Sequence, residues 1–352
     1  MNFSYKKVFV TGANGWLGRQ LMSTFFEDDP ECILFEKEKN LKIYCLLREN
    51  EDSSFLDSLS KKILFSRGDI TKAEDSKSFL NDSDSDSILI HTAGLIHPKR
   101  INELFKVNYE GTRNIVNAAI NNKLKKIIVI SSNSPLGCNK DPEKPFDENS
   151  PYNPYMNYGK SKMEMEIFLK EKIHEGHDIT ILRTPWFYGK NMPDRQQTFY
   201  QMIINGRFPF IGDGNNIRSV ANVKNIVQGI ILASISNNSK GQIYWIADEL
   251  NLSMKDMVNE IQSVFENEFK IICKQNKIFL PYFIGQIAEF IDYLIQSIGL
   301  YNQKIHVLSE MNKNIVCDIT KAKKELGYNP KVNFYEGTKE AYKQYLNLNE
   351  KI

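Results

Sequence analysis

Residues 6–18 read KKVFVTGANGWLG. KVFVT has the apolar, partly β-branched make-up of a buried strand, and WLGRQLMSTFFE, which overlaps the end of the stretch, has the apolar spacing of a helix. Between them lie Gly12, Gly15 and Gly18, spaced GxxGxxG. Small residues at such a junction let the backbone approach a pyrophosphate. The first N–H groups of the helix and its positive dipole end then face the phosphates. The stretch reads as a dinucleotide-binding turn, with Gly12, Asn14, Gly15, Trp16, Leu17 and Gly18 facing the cofactor. The other reading of the same residues is a tight turn without a ligand.

Outward from this turn, short apolar runs alternate with helical patterns. KIYCLL, KILFS, SILIHTAG, KKIIVISS and DITILRT read as strands. INELFKVNYEGTRNIVNAAINN and the segment running to about Lys172 read as helices. Such alternation implies an α/β fold with a parallel sheet covered on both faces. Residues 185–222 are rich in Pro, Gly and Asn. NVKNIVQGIILASI and GQIYWIA then return to the helix and strand patterns, and from Leu252 onward the chain reads as mainly helical, with a short strand at KIIC. The expected division is a dinucleotide-binding domain over 1–184, joined by 223–248, and a smaller, mainly helical substrate lobe from 185–222 and 249–352.

The 352 residues carry 45 Lys and Arg against 43 Asp and Glu, so the net charge of +2 points to no polyanionic partner. A small-molecule substrate and a homodimer are the expected partners, and nucleic acid is not. Five cysteines without CxxC or Cys/His spacing read as free thiols in a reducing compartment, with no metal site. MNFSYKK leads almost directly into a strand and does not read as a signal peptide, so the expected location is cytoplasmic. PYFIGQIAEFIDYLIQSIGL, residues 281–300, contains Glu289 and Asp292 and is short for a bilayer span. It reads as a buried amphipathic helix, with peripheral membrane contact as the alternative.

In YNPYMNYGKSKMEME, residues 152–166, only Tyr158 and Lys162 form a Tyr/Lys pair four apart, the spacing that stacks two side chains on one helix face. Taken with GxxGxxG, the pair resembles the extended short-chain dehydrogenase/reductase superfamily, in particular its NAD-dependent epimerase/dehydratase group. GDI (68–70), HTAG (91–94), VNYEGTRN (107–114), VISSNSPLG (129–137), LRTPWFYG (182–189), IGDG (211–214) and DITKAKKELGYNP (318–330) match further landmarks in order. The resemblance implies a Rossmann doubly wound sheet and hydride transfer at a secondary alcohol or ketone carbon. It implies that Tyr158 carries the proton, that Lys162 lowers the Tyr158 pKa and holds the nicotinamide ribose, and that a serine holds the substrate oxygen. Ser131, Ser132 and Ser134 compete for the last role, and the family pattern S-x-x-x-x-G, counted back from Gly137, selects Ser132. Asp69 and Ile70 are expected beside the adenine. Thr92, Ala93, Gly94, Asn108 and Pro185 complete the expected cofactor wall.

Where the family usually has an acid for the adenosine ribose, this chain has Leu47, followed by Arg48. Arginine offers a fork for a 2′-phosphate, so NADP is expected over NAD. Ser134, Trp186 and Arg218 are the expected substrate contacts, with Arg218 suited to a diphosphate. Departures in RSVANVKN, at Val220, Asn222 and Asn225, weaken a nucleotide-sugar reading but leave it ahead. The alternative is an apolar hydroxy or keto substrate, as in relatives similar to 3β-hydroxysteroid dehydrogenase and dihydroflavonol reductase. A non-catalytic NADP-binding regulator is the alternative from another class.

Overall fold

The computed structural model describes residues 2–349. Seven strands form the central sheet: β1 (Lys7–Thr11), β2 (Lys42–Leu47), β3 (Ile63–Arg67), β4 (Ser87–His91), β5 (Lys126–Ser132), β6 (Ile179–Thr184) and β7 (Ile243–Trp245). All pair in parallel, in the order β7-β6-β5-β4-β1-β2-β3. The order reverses between β1 and β4, which opens a crevice at their carboxyl ends, the place where such sheets bind ligands.

Side-chain alternation along each strand builds two cores. Val8, Val10, Ile88, Ile90, Ile128 and Ile130 face one way, into α1 (Trp16–Phe26) and α4 (Val223–Ile235). Phe9, Leu89, Ile127 and Val129 face the other way, into α2 (Thr112–Asn121) and α3 (Met156–His174). Each large apolar side chain removed from water contributes about 1.5–3 kcal/mol, so a one-residue slip of any strand would be costly. The sequence therefore reads as a sheet buried on both sides, and that is what forms.

A third apolar cluster gathers Tyr188, Tyr200, Phe210, Val220 and Met257 with residues of α5 (Met254–Glu268) and α7 (Phe334–Asn349). Trp186–Tyr188 pairs in parallel with Val220–Asn222 beside it. Two expectations fail in this part of the chain. No strand forms at KIIC, because Lys270 takes a positive φ of 57° that turns the chain out of α5; the strand forms later, at Ile278–Leu280, against Pro209–Ile211. The helix expected to be buried near 281–300 is α6 (Tyr282–Ser297), and most of its apolar side chains are exposed. Its buried stripe is Gly285, Ala288, Asp292 and Gln296, because only small or polar residues fit against the hydrogen-bonded surface beneath. Among the described residues no helix is long and apolar enough to cross a membrane.

Candidate active site

The glycine turn is built by contact. Gly12 has φ 77°, and a Cβ there would stand 2.6 Å from the Ala93 nitrogen. A Cβ on Gly18 would stand 2.0 Å from the Gly12 carbonyl oxygen. Both positions therefore exclude any side chain, and α1 is drawn against the turn with its N-terminus facing the crevice. Gly15 is the residue before α1, Trp16 and Leu17 open the helix, and Asn14 donates to the Asp52 carbonyl.

The opposite wall is the chain leaving β4. Thr92 donates its backbone N–H and its hydroxyl to the Thr11 carbonyl, which fixes Ala93 against Gly12. Asn108 holds the next residues. Its carbonyl accepts the Leu95 N–H at 2.8 Å, its amide donates to the Leu95 carbonyl at 2.9 Å, and it also donates to Ser161 Oγ at 3.1 Å. It lies in a π-helical segment, Phe105–Gly111, a widened turn of a kind that often marks functional positions. Asn108 thus joins the wall beside Gly94 to the helix bearing Tyr158. The sequence gives no hint of the widened turn.

Ser132 ends β5, and its hydroxyl lies close enough to the Tyr158 phenol to pull its pKa down. Ser134 Oγ is 3.3 Å from Ser132 Oγ, whereas Ser131 Oγ donates to Glu166 Oε1 at 2.5 Å and is turned away. Lys162, one turn beyond Tyr158, is buried and donates to the Ile130 carbonyl at 2.9 Å. Burial pushes the Tyr158 phenol up to about 12, with the Ser132 hydroxyl pulling it down. Burial also pushes Lys162 down to about 8, against the pull of Glu166. His91, the first residue of HTAG, ends β4 behind the glycine turn. It bonds Thr11 and Thr112, and burial pushes it down to about 3, so it stays neutral.

Behind this trio lies a network that sequence reasoning missed. Glu166 takes a forked pair of bonds from Arg183, at 2.7 Å to Nη2, and a further bond from the Tyr152 hydroxyl at 2.9 Å. Both charged side chains have no solvent exposure. The signal was present: a glutamate four residues after Lys162, and an arginine inside the apolar strand ITILRT.

At the end expected to hold the adenosine, Leu47 closes β2 and is buried, and Arg48 is the first residue beyond it. Arg48 and Lys72 line a hollow together with Glu49, Glu51, Asp69 and Asp75. Ile70, at the end of GDI, is buried against Gly111. On the substrate side, Pro185 is buried and Trp186 is half-buried, its ring edge-on to Phe199 at 5.4 Å. Arg218 is buried. Its Nη2 donates to the Glu310 carbonyl, while its Nε has no partner. Arg195 was also missed. Its guanidinium stands 5.6 Å from the centre of the Trp16 ring, its charge acts on Tyr158, Tyr301 and His97, and among the described residues it pairs with no carboxylate. No group of residues with metal-ligand geometry occurs among those described.

The family model of the NAD-dependent epimerase/dehydratase family matches residues 8–247. The chain belongs to that family. It is therefore an NAD(P)-dependent enzyme of the extended short-chain dehydrogenase type. An uncharacterized protein, y4nL, of Sinorhizobium fredii is 40% identical over 332 residues, covering 94% of this chain and 92% of that protein. The N-acetyl-α-D-glucosaminyl-diphospho-ditrans,octacis-undecaprenol 4-epimerase of Escherichia coli O157:H7 is 31% identical over 190 residues, covering 53% and 54%. The structure of UDP-glucuronic acid 4-epimerase from Bacillus cereus, in complex with NAD, superposes with a TM-score of 0.73 at 20% identity, covering 97% of this chain and 99% of that one. The residues present fit a dinucleotide: Gly12 and Gly18 let α1 pack against the turn so that the first N–H groups of α1 face the crevice.

Proposed function

We propose that this family member oxidises or reduces a secondary alcohol or ketone carbon on the sugar of a nucleoside diphosphate sugar, with Tyr158 carrying the proton. The observation that carries the reading is the convergence of Ser132, Tyr158 and Lys162 at the open end of β5, across the crevice from the glycine turn. Bound nicotinamide dinucleotide would supply or accept the hydride. Ser132 would orient the substrate oxygen toward the phenol. Tyr158 would take the hydroxyl proton during oxidation and return it during reduction. A phenol held near 12 is a poor base. The Ser132 hydroxyl and the Arg195 charge already pull it down, and the positive charge of an oxidised nicotinamide, with the Lys162 ammonium one turn away, would bring it toward the working range.

The unpaired Nε of buried Arg218 favours a diphosphate, since a buried guanidinium N–H without an acceptor is costly. Ser134 and Trp186 would border the sugar, in a substrate lobe made of 185–222 and 249–352. An apolar hydroxy or keto substrate would leave Arg218 and Arg195 without a counter-charge. A non-catalytic regulator would not require the Ser132–Tyr158–Lys162 arrangement. A second form of the same reading is a diphosphate sugar carried on a polyprenyl lipid, the substrate in the name of the E. coli relative; the exposed apolar face of α6 favours it. Arg48 favours NADP over NAD, and the absence of disulfides accords with a cytoplasmic enzyme.

The test is to incubate purified enzyme and NAD(P) with UDP-, dTDP- and GDP-sugars and follow the sugar by NMR. Tyr158→Phe should lose at least about 100-fold in turnover while keeping its affinity for reduced cofactor. Near-normal turnover by this variant would remove Tyr158 from the reaction. Failure of the native enzyme to bind any nucleoside diphosphate would move the reading to the lipid-linked substrate.

A further inference from the structure

Helix α6 is built inside out. The face turned into the protein is Gly285, Ala288, Asp292 and Gln296, and it is held by polar bonds. Asp292 meets His306 Nδ1 at 2.7 Å. Gln296 Oε1 accepts the backbone N–H and the side-chain amide of Asn157, the residue before Tyr158. The face turned outward holds Tyr282 (58% exposed), Phe283, Ile287, Phe290 (63%), Leu294 and Ile298 (71%). A helix of a folded monomer normally turns such residues inward, so this face is made to be covered.

Charge indicates what covers it. At the N-terminal end, Lys277, five residues before Tyr282, is exposed, and so is Asp213, next to Gly212 under the Tyr282 ring. At the C-terminal end, Arg100 bridges to Leu300, and Lys99, Arg100 and Lys304 are exposed and outnumber Glu103. Between the two ends, the outward face carries no charged residue. A second copy docked with its helix parallel would set one basic C-terminal end against the other. An anionic lipid surface instead accepts the apolar stripe below its headgroups and pairs with the lysines and arginine at the C-terminal end. At 16 residues the helix is too short to span a bilayer but long enough to lie in its surface.

We propose that the outward face of α6 docks this enzyme on an anionic membrane surface, as a peripheral contact. Because the inward face of α6 is bonded to the residue before Tyr158, docking would hold the catalytic crevice beside the bilayer. The proposal concerns where the enzyme sits and stands apart from the identity of its sugar substrate.

The test is flotation of the full chain with phosphatidylcholine vesicles, with and without phosphatidylglycerol, at low and high salt. The native protein should float with the phosphatidylglycerol vesicles, less so at high salt. The Phe290→Ser/Ile298→Ser variant should float at least about tenfold less. Both side chains are exposed, so the variant should melt like the native protein and bind NADH or NADPH unchanged. Should it unfold, Phe283→Ser at the other end of the face gives the same reading. Failure of the folded native protein to float with anionic vesicles would overturn the proposal, as would equal flotation of the variant. A native dimer that the same substitutions dissociate would assign the face to a second copy instead.

Discussion

Lys162, proposed to assist Tyr158, shows how such a residue would work against the fold that holds it. Its ammonium is buried, and burial has lowered its pKa to about 8 from a usual value near 10.4. The folded state therefore releases its proton more readily than the unfolded state does. Between about pH 8 and 10.4 the unfolded chain binds more protons here, so this group's contribution to stability rises with pH across that window. Below pH 8 the full penalty of a buried ammonium stands. Lys162→Met should remove that penalty, less the lost bond to the Ile130 carbonyl, and so be more stable at pH 7 by about 2 kcal/mol while losing activity. Urea unfolding of both proteins across pH 7–10 checks this, and the difference should shrink as pH rises. Arg48 carries a second prediction at this scale. Its side chain is 81% exposed and stands 4.0 Å from Glu51, in a hollow with more carboxylates than cations. Its preference for a 2′-phosphate should accordingly be small, about tenfold in favour of NADPH, and Arg48→Ala should erase it without changing NADH binding. Fluorescence titration with both cofactors measures the ratio, and equal native affinities would refute the role. Both residues were legible in the sequence by position. The degree of exposure that sets their strength was not, because it depends on side chains distant in the chain.

At the scale of elements, the sheet and its helices were legible because strand alternation and the glycine turn agree with burial at every position. The network that positions the helix bearing Tyr158 was not. Glu166 of α3, Arg183 of β6, Ser131 of β5 and Tyr152 lie far apart in sequence and meet only when those elements pack. Two opposite charges without solvent exposure cost much to desolvate and hold each other by close, forked bonds. Removing one leaves the other buried and unpaired. Glu166→Ala should therefore cost about 3–5 kcal/mol in chemical unfolding, and the Glu166→Ala/Arg183→Met double variant should recover much of that loss. No recovery would mean that the bonds to Ser131 and Tyr152, and not the ion pair, carry the effect. The misread α6 has the same cause. Its apolar spacing is correct for an amphipathic helix, but spacing alone does not say which face turns inward, and Asp292 and Gln296 find buried partners only in the folded chain.

Across the whole molecule, one lysine fastens three separated pieces of chain. Lys224 opens α4 and is almost fully buried. Its ammonium meets Glu31 at 2.7 Å and Asp29 at 3.3 Å in the segment between α1 and β2, and Glu340 at 2.8 Å in α7 near the end of the chain. Burial alone would lower its pKa, but the bonds from Glu31 and Glu340 outweigh it and hold the lysine charged well above the usual range. That segment is thereby tied to the sheet's helical cover. Lys224→Met would keep the length and apolar stem of the side chain and leave three carboxylates facing one another. The expected result is a loss of about 3 kcal/mol, which for a chain of this size lowers Tm by roughly 4 °C. Calorimetry of the native and Met proteins checks the size of the effect. Limited proteolysis checks its place: cleavage should quicken within residues 28–41 and in α7, while the glycine turn keeps its affinity for reduced cofactor. A variant as stable as the native protein would mean that the three contacts are solvated pairs of little energy, and that the packing of α4 against α1 alone holds these pieces together.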